Sequence, residues 1–437
     1  MKRATSAWLF SATTLLPFVL LAFVVPPLLN LTGGLAWVAR SAFLVLGLVA
    51  AIIVLLYLRA RAKALPEPVA ADDEIDTALV QAKKRLAAAT NVKLGRTPLV
   101  LVVGPGGSTK TTMVTRSGLE PELLAGEVHR GDTVVPTRAV NVWFADDAVL
   151  LEAGGKLTND PARWGRLIRH LQPSRLAAIL PSGRQAPRMA VVCFGCDEFL
   201  KPGASETVAA AAQTLRARLV EVAAQLGIRL PVYAVFTKAD RLPYYDDFVR
   251  SLTRDETSEL LGATLPVAAR AEAGSYAERA TARLGGAFDV IFRSLALRRL
   301  EVLPRESTEE VRAGAYEFPR ELRKVVPLAT QFLVDLCRPS QLSVSPFLRG
   351  FYFTGVRAIM VEDAGRAPAP LPSSSAAVVD ATSVFDPRAL MAQQRQSAPQ
   401  GGGRRVPEWA FLKRLLGGLV LRDPIARAVT AGGTRVN

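Results

Sequence analysis

The sequence predicts an α/β fold with a mainly parallel central sheet and flanking helices, preceded by two membrane-spanning helices and followed by a helical subdomain. Three observations support this prediction. Two long runs near the start carry no charge, short apolar strands recur further along, and amphipathic helical stretches lie between those strands. Continuous apolar strands that alternate with helices indicate a parallel sheet that is covered on both faces.

The two uncharged runs are residues 8–29 and residues 41–58, and each is as long as a membrane span. A cleaved signal peptide is the alternative for the first run. Against it, a second span follows closely, and a signal peptide has a shorter apolar core. The sequence therefore predicts a two-span transmembrane hairpin within residues 1–63.

Basic residues set the expected orientation of this hairpin. Two of them precede the first span and three follow the second, whereas the connection between the spans carries only Arg40. Under the positive-inside rule both ends of the hairpin are cytoplasmic. We therefore expect a multi-pass protein of the bacterial inner membrane, with both termini and the main domain in the cytoplasm.

The formal net charge of the 437 residues is +15, and most of it lies near the two ends of the chain. Residues 1–63 hold six Lys or Arg and no acidic residue, and residues 404–437 hold seven against two acidic residues. Basic charge close to a membrane favours contact with anionic lipid. No basic stripe studded with aromatic residues occurs between these ends, which excludes a nucleic-acid partner.

Cysteine usage indicates no metal centre. Cys193 and Cys196 form a single C-x-x-C pair without a second pair, and His129 and His170 are the only histidines. We interpret the cysteines as buried thiols in a reducing compartment.

The cytoplasmic part begins with a polar linker over residues 64–76 and a helical stretch after it. Four apolar strands follow, and each ends in a turn, within TPLVLVVGPGG, DDAVLLEAGG, RMAVVCFG and LPVYAVFTKAD. A long helix between the last two strands is predicted to begin at Ser205 as N-cap and to stop at Gly227. Ligands of such sheets bind beyond the carboxyl ends of the strands, where these turns lie.

The turn after the first strand, GPGGSTKTT, resembles the phosphate-binding loop G-x-x-x-x-G-K-[ST]. In that motif the lysine contacts the β- and γ-phosphates and the following hydroxyl ligates Mg²⁺. The residues expected to bind nucleotide here are Gly104, Gly107, Thr109, Lys110, Thr111 and Thr112. Thr109 replaces the usual glycine, and its Cβ either weakens the approach to phosphate or shifts the loop.

Two further turns complete a nucleotide-binding pattern. Glu152 and Gly155 occupy the ends of a D-x-x-G element, in which the acid holds Mg²⁺ and the glycine amide meets the γ-phosphate. The acid here is one methylene longer than aspartate. Thr137 lies upstream, where a threonine completes the metal shell, so the predicted magnesium residues are Thr111, Thr137 and Glu152.

The last turn, FTKAD, matches the pattern [NT]-K-x-D through Thr237, Lys238 and Asp240. Its aspartate accepts hydrogen bonds from guanine N1–H and N2–H, which adenine does not offer, so guanine is preferred over adenine. GTP or ATP with Mg²⁺ is the expected cofactor. Each short match alone is common by chance, but four in order predict a P-loop GTPase-like domain over residues 64–285.

The catalytic residue stays unknown at this stage, because no side chain can be assigned to position water. Asp146 and Asp147 are either catalytic or part of a hairpin turn, and we favour the turn.

Residues 286–360 are predicted to form a helical subdomain. Residues 361–407 are rich in Pro, Ala, Ser, Gly and Gln and predict a flexible linker. Residues 408–437 are predicted to form a basic amphipathic segment that lies on a surface or docks, since charges interrupt it.

These segments together resemble the IcmF (TssM) family of inner-membrane components of bacterial type VI secretion systems. The resemblance extends from the hairpin to about residue 425. It is carried by TRAVNVWFADDAVLLEAGGKLTND, LRARLVEVAAQLGIRLPVYAVFTKADRL, YEFPREL, PFLRGFYFTG and WAFLKRLLGGLVLRD.

The resemblance implies a membrane-anchored subunit that contacts a TssL-like inner-membrane protein and baseplate components of the secretion apparatus, and that associates with itself. Full members continue through a third span into a periplasmic region, whereas this chain stops at Asn437. We expect a fragment, the product of a split gene or a short variant.

Three functional hypotheses remain open from the sequence. The first is a structural subunit of the secretion complex whose nucleotide domain is regulatory or degenerate. The second is a membrane-tethered GTPase or ATPase whose hydrolysis gates assembly. The third is an unrelated membrane GTPase.

Overall fold

A computed structural model describes residues 19–24, 28, 34, 37–38, 40–50, 52, 74–90, 97–130, 133–134, 137–172, 186–267, 275–340, 344–362 and 403–431. The chain divides into two units, residues 1–73 and residues 74–437.

In the first unit residues 40–50 are helical and present many apolar side chains to the surface. No helix among the described residues is both long enough and apolar enough to cross a membrane. Parts of both predicted spans lie outside the described residues.

The second unit is a three-layer α/β structure. Its strands in chain order are β1 (Leu99–Val103), β2 (Glu122–Ala125), β3 (His129–Arg130), β4 (Thr133–Val134), β5 (Val140–Ala145), β6 (Ala148–Ala153), β7 (Arg188–Gly195), β8 (Pro231–Thr237), β9 (Leu261–Thr264), β10 (Phe347–Phe353), β11 (Gly355–Glu362) and β12 (Gly403–Ala410). Its helices are α1 (Glu74–Thr90), α2 (Lys110–Thr115), α3 (Pro161–Leu171), α4 (Ala204–Leu226), α5 (Tyr245–Val249), α6 (Arg254–Ser258), α7 (Tyr276–Val302), α8 (Glu309–Leu336) and α9 (Pro424–Ala431).

The main sheet has the strand order β2-β5-β6-β1-β7-β8-β10-β9. Strands β6, β1, β7, β8 and β10 run parallel, while β5, β2 and β9 are antiparallel to their neighbours. After β1 the chain forms β2, β5 and β6 on one side of β1, and it then continues with β7 and β8 on the other side. The direction of winding therefore reverses at β1. Ligands of open α/β sheets bind at such a point.

Side chains of the buried strands alternate between two hydrophobic cores. Leu99, Leu101 and Val103 of β1 face the core under α1, α3, α4, α7 and α8, and Val100 and Val102 face the opposite core. Because both faces are covered, the strands read as continuous apolar runs in the sequence.

The C-terminal segment forms much of the second core. Leu412, Leu415, Leu416 and Val420 are fully buried there, and residues Leu415–Val420 form a π-helix. The sequence predicts that this segment either lies on a surface or docks, and in the structure it docks on the sheet domain.

Several boundaries differ from those the sequence predicts. Helix α4 begins at Ala204 after Gly203 (φ 70°), so Ser205 is not its N-cap, whereas Gly227 (φ 64°) ends it as predicted. Segment 286–360 supplies helices and also β10, which lies within the main sheet between β8 and β9. Residues 363–402 of the predicted linker lie outside the described residues, and β12 begins at Gly403 and pairs with β11.

Candidate nucleotide and magnesium site

The loop from Gly104 to Thr109 joins β1 to α2 at the carboxyl edge of the sheet. A Cβ on Gly104 would lie 2.2 Å from the carbonyl oxygen of Cys193, so only glycine fits there. The Thr237 hydroxyl at the end of β8 donates to the Ser108 carbonyl at 3.1 Å. The loop is therefore fixed from two neighbouring strands.

Lys110 is turned into this loop. Its Nζ donates to the carbonyl oxygens of Gly104 at 2.9 Å and Pro105 at 2.8 Å. Burial lowers the pKa of Lys110, while Cys193 and Glu152 nearby oppose that shift. An ammonium group held inside a loop of backbone amides suits an anionic ligand.

Three oxygen atoms meet beside the start of α2. Oε1 of Glu152 accepts from the hydroxyls of Thr111 at 2.5 Å and Thr137 at 2.8 Å, and the two hydroxyl oxygens are 3.2 Å apart. Glu152 is only 1% exposed. The three predicted magnesium residues are thus brought together.

This oxygen triangle fits magnesium. An octahedral Mg²⁺ with ligands at about 2.0–2.1 Å separates neighbouring ligand oxygens by about 2.9 Å. The sides of the triangle, 2.5, 2.8 and 3.2 Å, bracket that distance. A carboxylate and two hydroxyls are also oxygen ligands of the kind that Mg²⁺ prefers.

Gly155 lies directly against the loop between β1 and α2. A Cβ at this position would come within 2.4 Å of the Gly106 amide nitrogen and 2.6 Å of its Cα. The turn after β6 therefore approaches the loop as closely as backbone atoms allow. The sequence predicts that the Gly155 amide meets the γ-phosphate, and in the structure Gly155 borders the loop that contains Gly106 and Lys110.

The turn after β8 forms the opposite flank of the site. Nζ of Lys238 contacts the Asp197 carboxylate at 2.9 Å, and Asp197 follows β7. Oδ1 of Asp240 accepts from the Val356 amide at the start of β11, at 3.1 Å. Thr237, Lys238 and Asp240 thus lie at the same edge as Lys110, in contact with segments after β7 and β10.

The remaining predicted positions follow the loop. Gly107 has φ 76° with open space where a Cβ would be, and Thr112 lies in the first turn of α2. Thr109 adopts the left-handed conformation at φ 54°, ψ 28°, which a β-branched residue rarely does.

Four buried oxygen atoms at this edge have no hydrogen-bond partner within the described part of the chain. They are the side-chain oxygens Thr109 Oγ1, Asp197 Oδ1, Tyr245 OH and Thr354 Oγ1. Each follows the carboxyl end of a parallel strand. Buried polar atoms are nearly always paired in native proteins, so this concentration favours a polar ligand at this edge.

Sequence reasoning did not identify Asn141, Asp197, Tyr245 or Thr354. Asp197 and Thr354 follow buried strands at the carboxyl edge, a signal that the sequence contains. Asn141 lies within β5, and only its pairing with Glu152 on β6 brings it to the site.

Two other sequence interpretations agree with the structure. Asp146 (φ 50°) and Asp147 (φ 56°) form the two-residue turn between β5 and β6, away from the carboxyl edge. Cys193, Cys196 and Cys337 are buried free thiols.

Comparison with known proteins identifies the family. The profile described as the IcmF-related N-terminal domain matches residues 159–428, which is more than half of the chain. The chain belongs to the IcmF-related family. A relative within it is the type VI secretion system component TssM1 of Pseudomonas aeruginosa, 31% identical over 305 residues. That match covers 65% of this chain and 26% of the relative, so the chain spans about a quarter of the relative's length.

Two solved structures of GTP-binding proteins show weak likeness to this family member. One is an ADP-ribosylation-factor-like protein, the small COPII coat GTPase SAR1 of Encephalitozoon cuniculi with GDP, at 13% identity and TM-score 0.20, over 38% of this chain and 56% of the other. The other is the signal recognition particle receptor SRb–GTP/SRX complex of Chaetomium thermophilum, at 17% identity and TM-score 0.20, over 33% and 70%.

Proposed function

We propose that this IcmF-related chain is a structural subunit of a type VI secretion membrane complex, anchored in the inner membrane, with a cytoplasmic nucleotide site that regulates it. Family membership supports the secretion role. Association with a TssL-like protein, baseplate components and further copies of the chain belongs to the same proposal.

Two uncharged runs support the membrane anchor. Residues 8–29 and 41–58 are long enough to span a bilayer, and several apolar side chains of the second run are exposed. Exposed apolar side chains of the described part of this run are Leu44, Val45, Leu46, Leu48, Val49 and Ile52. Such a surface is stable in lipid rather than in water.

The observation that carries the nucleotide site is the oxygen triangle of Thr111, Thr137 and Glu152 next to Lys110. In the proposed complex Lys110 would contact the β- and γ-phosphates, and Thr111, Thr137 and Glu152 would hold Mg²⁺, which would neutralise phosphate charge. Lys238 would pack along the base, and Asp240 would orient it.

The same groups also hydrogen-bond to one another. Lys110 binds two loop carbonyls, Lys238 binds Asp197, and Thr111 binds Glu152. Nucleotide must replace some of these bonds, so its affinity is reduced by their free energy. Modest affinity suits a regulatory site.

A titration of fluorescent GTP and ATP into the full chain in lipid nanodiscs tests this function. We expect Mg²⁺-dependent binding with GTP tighter than ATP, and a loss of at least tenfold in Lys110→Ala. Lys156→Ala is the matched control, because Lys156 is exposed and lies just after Gly155. Equal nucleotide binding by the unaltered chain and by Lys110→Ala would contradict the nucleotide site, and only the structural role would remain.

Hydrolysis is a second candidate function. The close approach of Gly155 to Gly106 favours it, because the turn from Glu152 to Gly155 would then border the γ-phosphate. Release of inorganic phosphate in the same nanodisc samples, again compared with Lys110→Ala, separates hydrolysis from binding.

A further inference from the structure

Asn141 contacts the predicted magnesium residues although no sequence motif includes it. It lies on β5 directly opposite Glu152 on β6. Its Nδ2 donates to Oε2 of Glu152 at 3.2 Å and to Oγ1 of Thr137 at 3.0 Å. Both Asn141 and Glu152 are 1% exposed.

The orientation of the Asn141 amide follows from its partners. The Thr137 hydroxyl donates its hydrogen to Oε1 of Glu152, so it accepts from Asn141, and the side of the amide that faces it is the NH₂ group. That group uses its two hydrogens on two of the three predicted magnesium residues. Oε2 is thereby occupied, and Oε1 faces the hydroxyls of Thr111 and Thr137.

Gly126 fixes the other side of the amide. A Cβ on Gly126 would lie 2.2 Å from Oδ1 of Asn141 and 3.0 Å from its Cα. Gly126 has φ 112°, so both space and conformation require glycine here. The amide is therefore packed between Gly126 on one side and Glu152 on the other.

The longer acid explains why such support is needed. Glutamate has one more rotatable bond than the aspartate of the usual motif, and its carboxylate has more positions available. A fixed partner removes that freedom before a metal binds. Hydrogen-bonded partners of metal ligands typically change metal affinity by about 10- to 100-fold when they are removed.

We propose that Asn141 is a positioning residue of the magnesium site. It holds the side chains of Glu152 and Thr137 in place, with Gly126 packed against its amide, and this allows a glutamate to serve where the motif usually has an aspartate. This inference rests on the proposed nucleotide function. It predicts a selective effect on magnesium rather than on nucleotide itself.

The test measures affinity for a non-hydrolysable fluorescent GTP analogue at a series of Mg²⁺ concentrations and in EDTA, with the full chain in nanodiscs. For Asn141→Ala we expect the half-saturating Mg²⁺ concentration to rise about tenfold. The affinity in EDTA should change less than twofold. Asn159→Ala is the matched control, because Asn159 is exposed and lies after β6.

A second variant guards against poor folding of Asn141→Ala. Asn141→Ser keeps a polar group but is too short to reach Oε2, and it should raise the Mg²⁺ requirement in the same way. Faster amide exchange of residues 137–141 in nucleotide-free Asn141→Ser would support the positioning role independently of any ligand.

The outcomes separate this inference from the proposed function. If the unaltered chain binds no nucleotide, the nucleotide part of the proposed function fails, and this inference fails with it. If the chain binds nucleotide but both variants keep its Mg²⁺ dependence, or lose affinity equally in EDTA, only the role of Asn141 is overturned.

Discussion

Thr109 shows at the level of one residue how this site departs from its motif. The position requires a left-handed backbone, φ 54°, which glycine adopts freely and a β-branched residue does not. Its hydroxyl is buried without a partner within the described part of the chain. Thr109 therefore adds conformational strain and an unpaired polar atom to the loop between β1 and α2.

Replacing Thr109 with glycine should relieve that strain. A left-handed residue with a side chain costs about 1–2 kcal/mol relative to glycine, so we expect Thr109→Gly to raise the melting midpoint by about 2 °C. Phosphate approach should also improve, with several-fold tighter GTP binding. Thermal unfolding and nucleotide titration of the full chain check both effects.

Thr112→Gly is the control for this substitution. It removes the same side chain from a helical position, where glycine is less favourable than threonine by about 0.3 kcal/mol. The two variants should therefore shift the melting midpoint in opposite directions. A lower midpoint for Thr109→Gly would show that its side chain stabilises the loop.

Much of the site was predictable residue by residue, because nucleotide motifs occur as short runs at strand ends. Lys110, Thr111 and Asp240 follow this rule, and the parallel sheet brings them to one edge. Asn141 could not be found in this way, since its contact with Glu152 depends on the register of an antiparallel strand pair. A one-residue slip would move Asn141 to the other face of the sheet.

Among the elements, the C-terminal segment is bound to the sheet by one buried ion pair. Asp423 accepts from Arg349 Nε at 2.6 Å and from the Tyr233 hydroxyl at 2.6 Å, and it also accepts from the amides of Ile425 and Ala426 at the start of α9. Side-chain exposure is 9% for Arg349 and 4% for Asp423. Such a pair is costly to break from one side.

Asp423→Asn should loosen the whole segment. Removing one partner of a buried ion pair costs about 3 kcal/mol, which corresponds to a rise of about 100-fold in local opening. Amide exchange of residues 415–431 is the measurement. Arg414→Ala is the control on the same segment, because its pair with Glu259 is 57% exposed at both ends and contributes at most about 1 kcal/mol. Equal exchange in both variants would contradict a role for the buried pair.

The same carboxylate predicts a pH dependence. Burial alone would raise the pKa of Asp423, but hydrogen bonds from Arg349, Tyr233 and Ala426 outweigh it and lower that pKa. The stabilisation is then present above the ordinary aspartate pKa and is lost as the pH falls through the lowered value. The exchange difference between the unaltered chain and Asp423→Asn should therefore be constant near neutral pH and shrink below about pH 4.

Elements with continuous apolar runs or clear end signals were predictable, and the others required tertiary context. Strands β1, β6, β7 and β8 appear directly in the sequence. Strand β10 does not, because its run FLRGFYF contains Arg349, whose charge is explained only by Asp423 more than seventy residues later. The C-terminal leucines of the π-helix are likewise explained by the sheet face that they cover.

For the whole molecule, the charge distribution and the apolar runs argue for attachment to a membrane. Most of the net positive charge lies in residues 1–63 and 404–437, and the sheet domain between them carries little net charge because its acidic residues balance most of its basic ones. Attraction to anionic lipid would add to the affinity that two spans provide. Under the proposed function, such an anchor would keep the nucleotide site next to the subunits that respond to it.

The native cysteines make the topology directly testable. Cys193, Cys196 and Cys337 are all buried, so they should react little with a membrane-impermeant maleimide. In intact cells we expect Thr32→Cys, in the connection between the predicted spans, to be labelled. Ser6→Cys and Ala64→Cys, at the two cytoplasmic ends of the hairpin, should be labelled only after the cells are opened. The orientation inferred from the basic residues would be contradicted if Ser6→Cys were labelled in intact cells or if Thr32→Cys were protected there. The anchor itself would be contradicted if the unaltered chain were recovered in the soluble fraction.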